Sequence, residues 1–175
     1  MPVCCTEEDG FALTPAALEA AITPKTRWLL LNSPGNPSGK LYSDAELDAL
    51  AEVLRRHEHV WIISDEIYQH IAYDPFVSFR VVAPDLVDRT LIVNGVSKSY
   101  AMIGWRIGWG CGPAALIGGM KKLQSQSTSN PTSISQHAAL AALTQPRDYF
   151  NEWRKAFAER RDFVVEALNA CEGIT

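Results

Sequence analysis

Apolar positions along this chain alternate between two periods. Leu18, Ala21 and Ile22 follow Thr14-Pro15 at helical spacing, and a proline at the first helical position marks a helix start. Ser43-Asp44-Ala45-Glu46 reads as a capping box, behind which Leu47, Leu50, Ala51 and Leu54 share one helical face as far as about His57. Between these stretches lie short β-rich runs at 27–32, 60–64 and 90–94. Strands buried on both faces and separated by helices argue for a parallel sheet. Residues 107–111 also read as a strand, but the loop before them leaves little room for the crossover a parallel neighbour requires. The expectation is an α/β fold: a mostly parallel sheet with one antiparallel strand and helices on both faces. Further helices are expected at 113–125, 133–143 and 147 to about 171. The last carries an apolar stripe of Phe150, Trp153, Phe157, Val164 and Leu168 that meets nothing downstream. Met1-Pro2-Val3-Cys4-Cys5 reads as a strand entered midway, so both ends look cut from a larger architecture.

Composition narrows the class. The 175 residues are 47% hydrophobic and 21% charged, which suits one globular domain and excludes disordered or collagenous chains. A net charge of -4 has the wrong sign for a nucleic-acid binder. No apolar run is long enough for a membrane helix, and Glu7, Glu8 and Asp9 stand where a signal peptide needs its apolar stretch. Cys4, Cys5, Cys111 and Cys171 show no C-x-x-C spacing, so free thiols in a reducing, cytoplasmic compartment are expected.

Ligands of open α/β sheets bind beyond the carboxyl ends of the strands. Asn36 follows the first strand, Asp65 closes the second, and Lys98 lies four residues beyond Asn94. Tyr68 and Arg106 follow closely after Asp65 and Lys98. Amine, carboxylate, phenol, amide and guanidinium suit an anionic, aromatic, carbonyl-bearing cofactor. Pyridoxal phosphate fits: its aldehyde takes a lysine, its ring nitrogen a carboxylate, and its phosphate an arginine. Competing motifs fail. Gly35–Lys40 falls one residue short of a phosphate loop and continues into Leu41, and Pro37 removes a backbone donor. Gly108-Trp109-Gly110-Cys111-Gly112 misses the dinucleotide spacing and runs into Pro113. His57 and His59 do not share a helical face, so no metal site is expected there. Glu66 is read as structural, and Trp105 and Trp109 as packing residues.

Three segments carry a resemblance to the fold-type I, aspartate-aminotransferase-like (class I/II) family. Ser33-Pro34-Gly35-Asn36-Pro37-Ser38-Gly39 resembles its Asn-Pro-Thr-Gly loop, with Ser38 in the usual Thr place. Ser64-Asp65-Glu66-Ile67-Tyr68 resembles its Asp-Glu-x-Tyr strand end, and Asn94 to Gly108 its Ser-Lys…Gly-Trp-Arg-x-Gly segment. The resemblance implies that Lys98 bonds the cofactor aldehyde and then shuttles the substrate proton. It implies that Asp65 pairs with the ring nitrogen, that Tyr68 and Asn36 hydrogen-bond the phenolic oxygen, and that Asn36 also touches the substrate carboxylate. Arg106 is implied as the phosphate clamp. Gly95 stands where relatives carry Ser, which implies one phosphate donor fewer. The polar loop 124–135 resembles that of aspartate- and prephenate-type relatives, placed near the cofactor or a subunit interface.

The resemblance spans 1–175 as the central part of a large domain, with about 147–175 leading towards a small domain. The complete protein is then expected to be a homodimer. The implied activity is transfer of an amino group between an amino acid, aspartate first, and a 2-oxo acid such as 2-oxoglutarate. Alternatives are other pyridoxal phosphate chemistry, such as a C–S lyase or an aromatic/prephenate-type transaminase, or a catalytically silent fragment. No arginine away from the three motifs is expected near the site.

Overall fold

The apolar runs become four short strands in a computed structural model that describes residues 2–174. They are β1 (Trp28–Asn32), β2 (Trp61–Asp65), β3 (Thr90–Gly95) and β4 (Gly108–Cys111), adjacent in that order. The first three are parallel and β4 is antiparallel to β3, as the short connection requires. The register sets Asn32 beside Asp65 and Asp65 beside Val93, so the carboxyl ends of the three parallel strands align along one edge.

One face of the sheet carries the larger core. Thr14 caps α1 (Pro15–Ala21) by accepting a hydrogen bond from the Ala17 amide. In α2 (Asp44–Arg56) both halves of the capping box form between Ser43 and Glu46. Leu47, Leu50, Ala51 and Leu54 are buried with Leu29, Leu31 and Ile62 of the sheet and with Phe79, which opens the short α3 (Phe79–Val82). The far end of α2 is closed by Arg89, whose guanidinium donates to the carbonyls of Leu54, His57 and Val60. Leu54 O and His57 O also accept the amides of His57 and Val60, so Arg89 adds a long-range cap to a turn that already closes on itself.

Leu91 pairs with Ile63, and side chains alternate across a strand, so Leu91 lies on the face opposite Ile62. There it meets Ile117 and Met120 of α4 (Ala114–Gln126) over Gly110, where an added Cβ would sit 3.1 Å from Leu91 and 3.3 Å from Met120. Two more helices follow, α5 (Ser133–Thr144) and α6 (Tyr149–Asn169). They supply Ala139 and Phe150 to a second, smaller core with Val96 and Tyr100.

Some expectations change. Pro2 to Cys5 form no strand; Val3 and Cys5 pack half-buried on the larger core. A strand needs a ladder, and the outer edge of β1 pairs with nothing among the described residues. That edge and the Pro2–Cys5 segment instead line an open groove of about 720 Å³. Met1, the first residue of the expected strand, lies outside the described residues. The stripe on α6 divides: Phe150 is buried and Trp153 half-buried, whereas Phe157, Val164 and Leu168 are exposed. Trp105 and Trp109 are also largely exposed, because no helix of the described residues covers them as α2 covers Leu29. Among the described residues no helix is long and apolar enough to cross a membrane.

Candidate functional site

At the end of β1 the chain enters a tight turn closed by Gly35 N–H to Lys40 O (2.9 Å) and Gly39 N–H to Gly35 O (2.8 Å). Gly39 takes a left-handed φ of 72°, which residues with a Cβ rarely adopt. The Ser33-Pro34 and Asn36-Pro37 peptides are cis. This turn presents Asn36, whose Nδ2 donates to the Tyr68 hydroxyl at 3.4 Å. Accepting that bond leaves the phenolic hydrogen of Tyr68 free to donate elsewhere.

Asp65 closes β2, and its Oδ1 accepts from the Ile67 amide at 3.1 Å, which aims the carboxylate and leaves Oδ2 as a second acceptor. The next residue, Glu66, is only 4% exposed. Its Oε1 accepts from Ser64 Oγ (3.0 Å), Ser78 Oγ (2.7 Å) and the Phe79 amide (3.3 Å). One carboxylate thus pins both ends of the 66–79 excursion that carries Tyr68. Burial pushes the Glu66 carboxyl above its ordinary range, against the pull of those donors. The structural reading of Glu66 holds.

Lys98 sits in the turn after β3, where Tyr100 N–H reaches Val96 O and Ala101 N–H reaches Lys98 O. Its Nζ lies 5.6 Å from the centre of the Tyr68 ring, within cation–π range. Behind the lysine, Tyr100 packs edge-on against His70 and Phe150, so the turn rests on α6. Gly95 has a steric explanation: a Cβ there would lie 2.8 Å from Ile107 O, closer than any side chain tolerates.

Asn36, Tyr68 and Lys98 therefore meet, and sheet register brings Asp65 to the same edge. Arg106 stands apart. It holds a left-handed backbone (φ 58°), is exposed, and turns its guanidinium back to Ile103 O at 3.0 Å.

Two residues escaped the sequence reading, and a third was read without its partners. Asn32 links β1 to β2 through its carboxamide. Its only local signal was its place at a strand end. Glu66 was read as structural without its partners. Arg160 lines a cavity of about 440 Å³ with Lys98, Ile103, Trp153 and Phe157, contrary to the expectation that no further arginine approaches the site. Only the folding of α6 onto the Lys98 turn brings it there.

The family of class I and II aminotransferases matches residues 1–175. The chain belongs to that family. Within it, the chain is 55% identical over 170 residues to the aspartate/prephenate aminotransferase of Cereibacter sphaeroides, covering 96% of this chain and 42% of the relative. It is 54% identical over 174 residues to an aspartate aminotransferase of Rhizobium meliloti, covering 98% and 42%. Among solved structures, the Rhizobium meliloti aspartate aminotransferase superposes with a TM-score of 0.94 at 55% identity, covering 97% of this chain and 43% of that one. The Thermus thermophilus aspartate aminotransferase with maleate superposes at 0.91 with 42% identity, covering 97% and 44%. The chain therefore spans about 42% of the length of these curated relatives. The family's cofactor is pyridoxal phosphate. The donor set at the sheet edge suits it: an amine, a carboxylate with an uncommitted oxygen, and a phenol whose hydrogen is free to donate.

Proposed function

We propose that this chain forms the cofactor-holding part of an aminotransferase. Its substrates are an amino acid, aspartate first, and a 2-oxo acid such as 2-oxoglutarate. The observation that carries the reading is the meeting of Asn36, Tyr68 and Lys98 beside Asp65 at the carboxyl edge of the sheet. The aspartate choice rests on the printed names of the relatives and on the maleate, a four-carbon dicarboxylate, named with the Thermus protein.

When bound, pyridoxal phosphate supplies an electron sink for the pair left at the substrate Cα. The chain's residues do the rest. Lys98 would hold the aldehyde end of the cofactor through Nζ and would serve as the general base for the proton at the substrate Cα. Asp65, with Oδ1 bonded to the Ile67 amide and a second oxygen uncommitted, would keep the ring nitrogen protonated. Tyr68 donates to the phenolic oxygen, held in line by Asn36, which also reaches the substrate carboxylate. Arg106, whose guanidinium bonds Ile103 O in this structure, would hold the phosphate through its planar fork.

We read the 175 residues as the central part of a large domain, with α6 leading towards a small domain. We place the complete protein in the cytoplasm as a homodimer. The span of less than half of each curated relative supports the larger architecture.

The experiment mixes the purified chain with pyridoxal phosphate, reduces it with borohydride, and locates the modified lysine by peptide mass spectrometry. Label is expected on Lys98 and lost in Lys98→Ala. Label scattered over surface lysines, or unchanged in Lys98→Ala, overturns the assignment.

A further inference from the structure

One side chain joins the two strand ends on which the candidate site is built. Asn32, the last residue of β1, donates through Nδ2 to Asp65 O at 3.1 Å and accepts through Oδ1 from the Asn36 amide at 3.1 Å. Its carboxamide spans the gap between the residue assigned to the ring nitrogen and the residue that orients Tyr68. The Ser33 amide adds a second bond to Asp65 O at 3.1 Å, continuing the β1–β2 ladder one step past the strand.

We infer that Asn32 is a positioning residue, a clamp that sets the spacing of Asn36 and Asp65 before any ligand arrives. The inference rests on the proposed function for its purpose, though not for its geometry. The chemistry explains the residue type. The clamp needs a donor facing one carbonyl and an acceptor facing one amide on a single short, rigid side chain, and asparagine has both. Aspartate keeps the acceptor but sets a carboxylate against the Asp65 carbonyl, while alanine keeps neither. A residue on a flexible loop would hold these groups less closely than one at a strand end, and preorganised supports of this kind govern how well a site is aligned.

The test has one arm without cofactor and one with it. Amide hydrogen exchange is measured on the chain alone, with far-UV circular dichroism to confirm folding. In Asn32→Ala the Asn36 amide should exchange about tenfold faster, the weight of one hydrogen bond, while the Ser33 amide, which bonds Asp65 O directly, keeps its protection. In Asn32→Asp, which retains the acceptor, the Asn36 amide should keep its protection. Unchanged Asn36 exchange in Asn32→Ala overturns the clamp. If Asn32→Ala fails to fold, Asn32→Leu, which fills similar space without an acceptor, decides by the same readout.

The second arm follows the absorbance of the chain loaded with pyridoxal phosphate against pH. A clamp that sets the ligands of the chromophore predicts a shifted midpoint in Asn32→Ala, which adds no charge near the site, and a loss of stability alone does not produce such a shift. An unshifted midpoint overturns the link to the site. Absence of Lys98 label in the unaltered chain would instead count against the proposed function, leaving the exchange arm to decide the clamp.

Discussion

The sheet joins two regions of unlike construction. On the α2 side of β1 and β2 the core is closed: Leu50, Leu54 and Ile62 are 0% exposed, and Arg89, Glu66 and the Ser43–Glu46 box satisfy the backbone at helix and strand ends. Beyond β3 the packing thins. Only four residues form the buried part of the second core, and Leu123, Ile134 and Phe163 are more than 70% exposed. The candidate site straddles the seam. Asn36, Asp65 and Tyr68 come from the closed region and are held by hydrogen bonds, while Lys98 and Arg106 come from the open one. The directional part of the candidate site is thus set by groups already fixed, and the turn that carries Lys98 rests on aromatic packing between Tyr100, His70 and Phe150.

Leu50→Ala offers the strongest way to break this contrast. A fully buried leucine in a well-packed core should cost about 2–5 kcal/mol in denaturant unfolding. A loss under about 1 kcal/mol would mean that the first region is as loosely packed as the second. Ser43→Ala removes one half of the capping box and should cost about 1 kcal/mol, read from the same titration.

The Lys98 side responds to pH through His70. Burial, with Arg147 and Arg154 nearby, holds its imidazole below the ordinary 6.5. The folded chain therefore binds that proton less readily than the unfolded one. The stability this represents is present above pH 6.5 and is lost as pH falls through the window beneath it. His70→Phe should flatten that part of the stability–pH curve, and an unchanged slope would remove His70 from the account. The smallest effect is expected on the outer half of α6. Phe163→Ser changes an exposed side chain and should move stability by less than about 0.5 kcal/mol. A larger loss would show that α6 is held along its whole length.

Elements with local signals were legible. The capping box, the Thr14-Pro15 start and the apolar runs anticipated α1, α2 and the four strands to within a residue or two. The short connection before β4 was enough to foresee its antiparallel course. Less regular pieces were missed: α3 spans four residues, and the one- or two-turn 3-10 helices at Gln69–Ile71, Pro84–Arg89 and Ile103–Trp105 are too short for a hydrophobic period to register. The expected strand at the N-terminus failed because a ladder partner is a property of the sheet and not of the segment.

By itself the sequence marked which residues are candidates for the chemistry, because a motif is a local order of side chains and the strand and helix periods are local as well. It pointed to Lys98, Asp65, Tyr68 and Asn36 and to the edge where they gather. The tertiary structure alone decided which of them touch, that Arg106 faces Ile103 instead of the others, and that Asn32, Glu66 and Arg160 attend the site. Apart from the local Arg106–Ile103 and Asn32–Asn36 bonds, those contacts join residues far apart in the chain. They form only when parallel strands come into register and a helix folds back, and no local pattern encodes that distance.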